Sequence, residues 1–176
     1  MTSIQKGVAV AAVQLALVAS LGAKYALDRA WLPRVWTQTA AYDPDLPIRG
    51  RYLSVRLRVE AGNVYRDTPL PKANRFSFWG DMRDVKLSVQ DGRLVASPAD
   101  RPTGLQVARW TNNRGEEVTA LSEPVAFFLP EHVTDPSWRK PGEELWIEVT
   151  VPKKGPPRPI RLAVKRGETF TPLDFK

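Results

Sequence analysis

The chain has 176 residues, no cysteine and a formal net charge of +7. This length allows one domain plus an appendage, and a hydrophobic content of 43% supports a packed core and argues against global disorder. The lack of cysteine excludes disulfides and thiolate metal sites. Acidic and basic residues are interspersed after residue 36, which indicates a mildly basic surface and argues against a nucleic-acid interface.

The first predicted element is a membrane-spanning helix within residues 1–30. The run from Gly7 to Ala23 is apolar except for two polar residues. As a helix it spans roughly 25 Å at about 1.5 Å per residue, slightly less than a bilayer core of about 30 Å. Lys6 and Lys24 flank the run and can extend to the two membrane interfaces. We therefore predict an uncleaved N-terminal anchor.

Two other interpretations of this segment stay open. It could be a cleaved signal peptide, with Val18-Ala19-Ser20 as the cleavage site. It could also be a buried core helix, although the run is apolar on all sides, unlike a surface helix. The basic residues on its two flanks give a slim preference for a cytoplasmic C-terminal domain by the positive-inside rule.

Residues 31–41 are predicted to form a juxtamembrane linker, and residues 42–176 a β-rich domain. The domain begins with two prolines that favour an extended backbone and with Gly50, where the chain can turn. From Leu53 to Val59, apolar and polar residues alternate strictly. That period of two is typical of a strand with one buried face.

The remaining predicted strands are short and are separated by turn signals. Asp91-Gly92 lies between strands over 85–90 and 93–96, and it favours a two-residue type I′ hairpin. A second hairpin is predicted around residues 112–115, followed by strands over 125–129, 145–151 and 160–164. Seven to nine such strands predict an antiparallel barrel or sandwich. The predicted core comprises Leu53, Val55, Leu57, Val59, Val85, Leu87, Val89, Ile147, Val149, Leu162 and Val164.

The candidate chemistry is sparse. His132 is the only histidine, which excludes zinc sites built on several imidazoles. Together with Glu131 and Asp135 it offers a metal-binding or acid–base trio, whereas a solvated loop is the alternative interpretation. Neither Ser54 nor Ser137 has a nucleophile signature, and there is no phosphate-binding loop or dinucleotide motif. No cofactor and no catalytic residue is therefore predicted.

Two further clusters have a functional and a structural interpretation. Phe76, Phe78 and Trp79 form an aromatic group that we expect to pack over a sheet edge, and a platform for ligand stacking is the functional alternative. The basic residues of the 153–161 segment offer a weak contact for anionic lipid headgroups, or they solvate a loop and a strand. These are Lys153, Lys154, Arg158 and Arg161.

Two short motifs carry a resemblance to a known family. Asp43-Pro44, followed by Arg49-Gly50-Arg51-Tyr52, resembles the signature of the GDYXXLXY family of bacterial membrane-anchored proteins, and Phe128-Leu129-Pro130-Glu131 resembles its second marker. The matching residues are Asp43, Pro44, Arg49, Gly50, Tyr52, Pro130 and Glu131. The chain departs from the family pattern at Arg51, Val55, Leu57 and His132.

The function of this family is unknown. The resemblance therefore implies where the protein is located and does not imply an activity. It implies a single-pass protein of the bacterial cytoplasmic membrane with a periplasmic domain and a membrane-protein partner. We therefore predict a non-enzymatic docking or accessory module. The alternative is an envelope enzyme or a metal- or ligand-binding protein that uses Glu131, His132 and Asp43.

The positions of the two motifs lead to one geometric prediction. Arg49 and Glu131 are charged residues in loops stiffened by a neighbouring glycine or proline. We expect the two loops to be neighbours, with Glu131 or Asp43 accepting a hydrogen bond from Arg49 or from a backbone N–H near Gly50.

Overall fold

A computed structural model describes residues 2–40, 52–66, 82–112, 115–130, 133, 136 and 140–175. It contains one helix, α1 (Ser3–Trp31), and two antiparallel sheets. The strands are β1 (Arg34–Ala40), β2 (Tyr52–Leu57), β3 (Met82–Gln90), β4 (Arg93–Pro98), β5 (Gln106–Thr111), β6 (Glu117–Leu121), β7 (Val125–Phe128), β8 (Glu143–Thr150), β9 (Arg158–Arg166) and β10 (Thr169–Pro172). The chain divides into two units, residues 1–32 and residues 33–176.

Helix α1 confirms the predicted apolar N-terminal helix. Its first turn is closed by a capping box, in which the Thr2 hydroxyl accepts from the Gln5 N–H and the Gln5 side chain accepts from the Thr2 N–H. It ends before Pro33, because the residue that precedes a proline disfavours helical geometry. With 29 residues it is roughly 44 Å long. None of its residues is buried, and it is long and apolar enough to cross a membrane.

The predicted linker over residues 31–41 is wrong, because most of it forms strand β1. β1 lies between β8 and β2 in the larger sheet. Its inward positions include Thr37 and Thr39, which are buried, so the sequence lacks the apolar alternation of a typical strand. Their hydroxyls donate to the carbonyls of Arg58 and Leu145, at 2.5 and 3.1 Å. These bonds satisfy polar groups that would otherwise be costly to bury.

The two sheets form a sandwich-like β domain without a closed barrel. The larger sheet has the strand order β10-β9-β8-β1-β2-β7, and the smaller has β4-β3-β5-β6. Their facing side chains form one core that contains Leu57, Val85, Val107, Ile147 and Leu162. The predicted mostly-β antiparallel fold is therefore confirmed, and the sandwich is the correct one of its two alternatives.

Both predicted hairpins are present. Gln90 pairs with Arg93 across the β3–β4 turn, and Asp91 and Gly92 have φ angles of 48° and 72°, as a type I′ turn requires. Thr111 pairs with Glu117 at the start of the longer β5–β6 connection. Strand β10 was not predicted, and its four residues are all exposed, so it has no buried face to mark it.

Eight of the eleven predicted core residues are buried. The other three, Leu87, Val89 and Val164, are partly buried and pack against the core. Alternation thus identified the inward faces of β2, β3, β8 and β9 correctly. It did not identify Leu94, Ala96 or Val107, which complete the core from β4 and β5.

The residues that follow β2 join the two sheets. The Val59 N–H donates to the Thr119 carbonyl of β6 at 3.0 Å, and the Glu60 N–H donates to the Leu94 carbonyl of β4 at 2.9 Å. The Ala96 N–H returns a bond to the Glu60 carbonyl at 2.8 Å. The same extended segment therefore pairs with β7 at its beginning and reaches both edge strands of the smaller sheet at its end.

Candidate functional site

Two surfaces of the β domain combine exposure with defined side-chain geometry. The first is the aromatic edge, which we define as Tyr52 and Phe128. These residues are directly opposite each other on β2 and β7, and their ring centroids lie 5.4 Å apart at an interplanar angle of 67°. Tyr52 is 48% exposed and Phe128 is 59% exposed. Edge-to-face pairing orients both rings while much of their surface remains in water.

The backbone around the aromatic edge determines which side chains reach solvent. Along β7, Phe128 and Ala126 are exposed, whereas Val125 is buried. Phe127 points to the other face, where its ring lies 5.8 Å from that of Phe175. Ser54 and Ala126 are paired beside the two rings. The two rings therefore lie next to the small side chains of Ser54 and Ala126. Within the part of the chain that the structure describes, β7 is an edge strand of the larger sheet.

The pairing of β2 with β7 also brings the described ends of the two motifs together. Tyr52 ends the first motif, and Pro130 follows Phe128 and the buried Leu129 in the second. The other predicted site residues lie outside the described residues, and so does the predicted bond of Arg49; these are Asp43, Pro44, Arg49, Gly50, Glu131 and His132. The aromatic group Phe76, Phe78 and Trp79 also lies outside them, as do Asp135 and Ser137.

The second surface is an open cleft of about 1170 Å³. We call it the arginine cleft, after Arg58, Arg66, Arg93 and Arg109. Its described lining residues also include three acidic side chains, and three aromatic side chains supply apolar surface. The acidic residues are Glu60, Asp91 and Glu117, and the aromatic residues are Trp36, Tyr65 and Trp146.

Arg109 is the most buried of the four arginines of the cleft. Its side chain is only 5% exposed, and the nearest carboxylate oxygen of Glu117 lies 3.6 Å from its Nη1. The guanidinium lies over the Tyr65 ring, 4.3 Å from the centroid. The Tyr65 hydroxyl in turn donates to the Val107 carbonyl at 3.0 Å. Because the ring is fixed by this buried bond, it gives Arg109 a rigid support.

The other three arginines of the cleft have two kinds of partner. Arg93 pairs with Glu60 at 2.7 Å, and both side chains are largely exposed. Arg58 instead donates to the amide oxygen of Gln38, and Arg66 donates to the amide oxygen of Asn63 at 2.7 Å. An amide oxygen carries no net charge, so these two contacts position the guanidinium groups without neutralising them.

The two tryptophans of the cleft are held by neighbouring side chains. Trp36 lies edge-to-face with Phe170, with ring centroids 4.9 Å apart, and the Arg161 guanidinium lies 5.7 Å from its centroid. The Trp146 Nε1–H donates to Glu144 at 3.0 Å. The hydrogen bond between Arg161 and Glu148 raises the pKa of the Arg161 guanidinium. These contacts limit the side-chain motion that a ligand would otherwise have to restrict.

Sequence reasoning missed the arginine cleft. The sequence pattern predicts that Trp36 lies in a linker and that Arg58 is an outward residue of an alternating strand. The prediction of a hairpin turn at Asp91-Gly92 is correct. The sequence pattern around this turn does not indicate that the turn lines a cleft. The available signal was the number of arginines near residue 60, since arginine next to tyrosine and tryptophan is typical of binding surfaces.

Among the described residues, no group of three or more His, Cys, Asp or Glu side chains could hold a metal ion. No protein-family model, no curated protein and no solved structure matches the chain.

Proposed function

We propose that the chain is a single-pass membrane protein whose β domain docks an extended, apolar segment of an integral membrane partner at the aromatic edge. The observation that carries the proposal is the exposed pair of Tyr52 and Phe128. Large aromatic side chains contribute much of the binding energy at protein interfaces, and this pair is already ordered by its own contact.

The position of the pair at an edge strand supports an extended partner. β7 pairs with β2 on one side and is the last strand of the larger sheet in the described part of the chain. An edge strand presents backbone N–H and C=O groups to an added strand. Ser54 and Ala126 leave room for the partner's side chains beside the two rings.

The helix supports a partner in the same membrane. Helix α1 would hold the β domain near the bilayer, and confinement raises the effective concentration of an integral membrane partner. We further propose that the domain lies on the periplasmic side of a bacterial cytoplasmic membrane and that the helix is not cleaved. The resemblance to the GDYXXLXY family supports this orientation. N-terminal sequencing of the mature protein tests cleavage, and a C-terminal fusion to a reporter that is active only in the cytoplasm tests orientation.

Site-specific cross-linking tests the docking surface in the intact membrane. A photoreactive amino acid replaces Phe128, and a matched variant carries it at Thr171 of β10, an exposed position on the other edge of the same sheet. We expect one integral membrane protein to be cross-linked from position 128 and not from position 171. The additional substitution Tyr52→Ala should reduce the yield from position 128 at least severalfold.

Three results would overturn the proposal. Cross-linking to lipid alone would identify the aromatic edge as a membrane-contact surface. Equal yields from positions 128 and 171 would show general proximity without docking. An unchanged yield in the Tyr52→Ala variant would show that the aromatic pair contributes nothing.

A further inference from the structure

We propose that the arginine cleft is a second binding site, which takes a short acidic peptide segment through Arg58 and Arg66. This inference does not rest on the aromatic edge, because it uses none of its residues. The ligand chemistry follows from the charge, the bonding and the volume of the cleft.

The arginines of the cleft indicate a carboxylate ligand. Arg93 and Arg109 have carboxylates of this chain within reach, Glu60 and Glu117, so the cleft already contains arginine–carboxylate pairs. Arg58 and Arg66 instead donate hydrogen bonds to the neutral amide oxygens of Gln38 and Asn63. A carboxylate that replaces such an oxygen adds the opposite charge and can accept two parallel hydrogen bonds from the guanidinium.

The overall charge of the lining favours separated carboxylates over a dense polyanion. Four arginines are accompanied by three acidic side chains in the described lining, so the local excess of positive charge is small. A nucleic acid or a polyphosphate would bring its charges close to Glu60, Asp91 and Glu117. A peptide that alternates acidic with apolar side chains can place each carboxylate at an arginine and avoid those three residues.

The size and the aromatic surface of the cleft favour a chain segment. Its volume of about 1170 Å³ exceeds the range of roughly 300–1,000 Å³ that is usual for small-molecule sites. Trp36, Tyr65 and Trp146 provide apolar surface between the charged groups. Apolar side chains of a peptide can pack on these rings while its carboxylates contact Arg58 and Arg66.

Fluorescence anisotropy with the full chain in neutral detergent micelles tests this site. The probe is a short labelled peptide that alternates leucine with glutamate, and the matched probe has glutamine in place of glutamate. We expect saturable binding of the glutamate peptide that weakens as salt is raised, because exposed charge interactions are screened. We expect at least tenfold weaker binding of the glutamine peptide.

Substitutions in the protein then locate the site. Arg58→Gln and Arg66→Gln should each weaken binding of the glutamate peptide about tenfold, as expected for a hydrogen bond between charged groups. Arg101→Gln removes the same charge from an exposed arginine that does not line the cleft, and it should leave affinity within twofold of the parent. Because Arg66 is exposed, Arg66→Gln should also preserve the thermal unfolding midpoint, which separates lost binding from lost folding.

Each of the opposing results overturns the proposal. Equal binding of the two peptides would show that carboxylates are not recognised. Equal losses in Arg66→Gln and Arg101→Gln would show attraction by net charge alone. Competition by short-chain polyphosphate at lower concentration than by the unlabelled glutamate peptide would identify a phosphate site. None of these results bears on cross-linking from position 128, so the two proposals can fail separately.

Discussion

The aromatic edge and the arginine cleft lie at the two ends of one extended segment. The first is an aromatic, uncharged surface, whereas the second is rich in charged side chains. The segment begins at Tyr52 and reaches the cleft at Arg58 and Glu60. At about 3.3 Å per residue, the two ends are at most about 26 Å apart. One end presents ordered aromatic rings, and the other presents guanidinium groups.

Between these ends, the inward side chains of the same segment are buried. Leu53, Val55, Leu57 and Val59 all belong to the core. Because successive side chains of a strand point to opposite faces, stability and recognition can share one segment. A substitution in the middle of the segment should therefore affect both surfaces, whereas a substitution at either end should affect only the surface at that end.

The largest loss of stability is expected from Leu57→Ala, in the middle of the segment. Leu57 is 0% exposed, and truncating a fully buried leucine costs about 2–5 kcal/mol. That is a large part of the about 5–15 kcal/mol by which domains are usually stable. Urea unfolding followed by tryptophan fluorescence measures the loss, and both cross-linking from position 128 and peptide binding should decline together.

The matched control for Leu57→Ala is Ser54→Ala, on the outward face of the same strand. Ser54 is half-buried, so its change should stay within about 0.5 kcal/mol. Similar losses for the two variants would contradict the assignment of inner and outer faces.

A smaller loss of stability is expected from Arg109→Ala, in the arginine cleft. This substitution removes a buried guanidinium that stacks on Tyr65, a contact of about 2 kcal/mol when desolvated, together with the packing of its aliphatic stem. Urea unfolding should show a loss of about that size. Cross-linking from position 128 should not change under conditions where the variant is folded.

Arg109→Lys sharpens this prediction, because lysine keeps the charge but lacks the planar group that stacks on the ring. We expect it to recover only part of the lost stability. Complete recovery by lysine would show that the charge near Glu117 is sufficient and that the stacking geometry contributes nothing.

A loss of about 1 kcal/mol is expected from Tyr65→Phe. The substitution keeps the ring under Arg109 but removes the hydroxyl that bonds to the Val107 carbonyl. Tyr52→Phe removes the same atom at the aromatic edge, where nearly half of the side chain is exposed. Its unfolding midpoint should equal that of the parent, and equal losses in the two variants would contradict the difference in burial between the two tyrosines.

Apart from the controls Ser54→Ala and Tyr52→Phe, the smallest loss of stability is expected from Phe128→Ala, at the aromatic end. The ring is mostly exposed, so the main loss is its contact with Tyr52, and the change should stay below about 1 kcal/mol. Thermal unfolding measures it, and binding of the glutamate peptide to the cleft should be unaffected. A loss of several kcal/mol would mean that Phe128 is a core residue and is not available for docking.

Local patterns in the sequence determined much of the fold. The apolar run of α1, the alternation from Leu53 to Val59 and the Asp91-Gly92 turn each act over a few neighbouring residues, so they can be read without knowing the rest of the chain. They predicted the helix, the antiparallel β class, both hairpins and eight buried core positions. They failed for β1, because Thr37 and Thr39 satisfy their hydroxyls with distant carbonyls.

Only the tertiary structure decided where the two surfaces are. The pairing of Tyr52 with Phe128 joins positions 76 residues apart in the sequence, although the charged residues Arg49 and Glu131 lead to the prediction that the two motif loops are neighbours. The arginine cleft combines side chains from β1, β4, β5, β6, β8, the β3–β4 turn and the segment after β2. No period or motif relates these positions, because sheet pairing, which depends on long-range hydrogen bonds and core packing, is what brings them together.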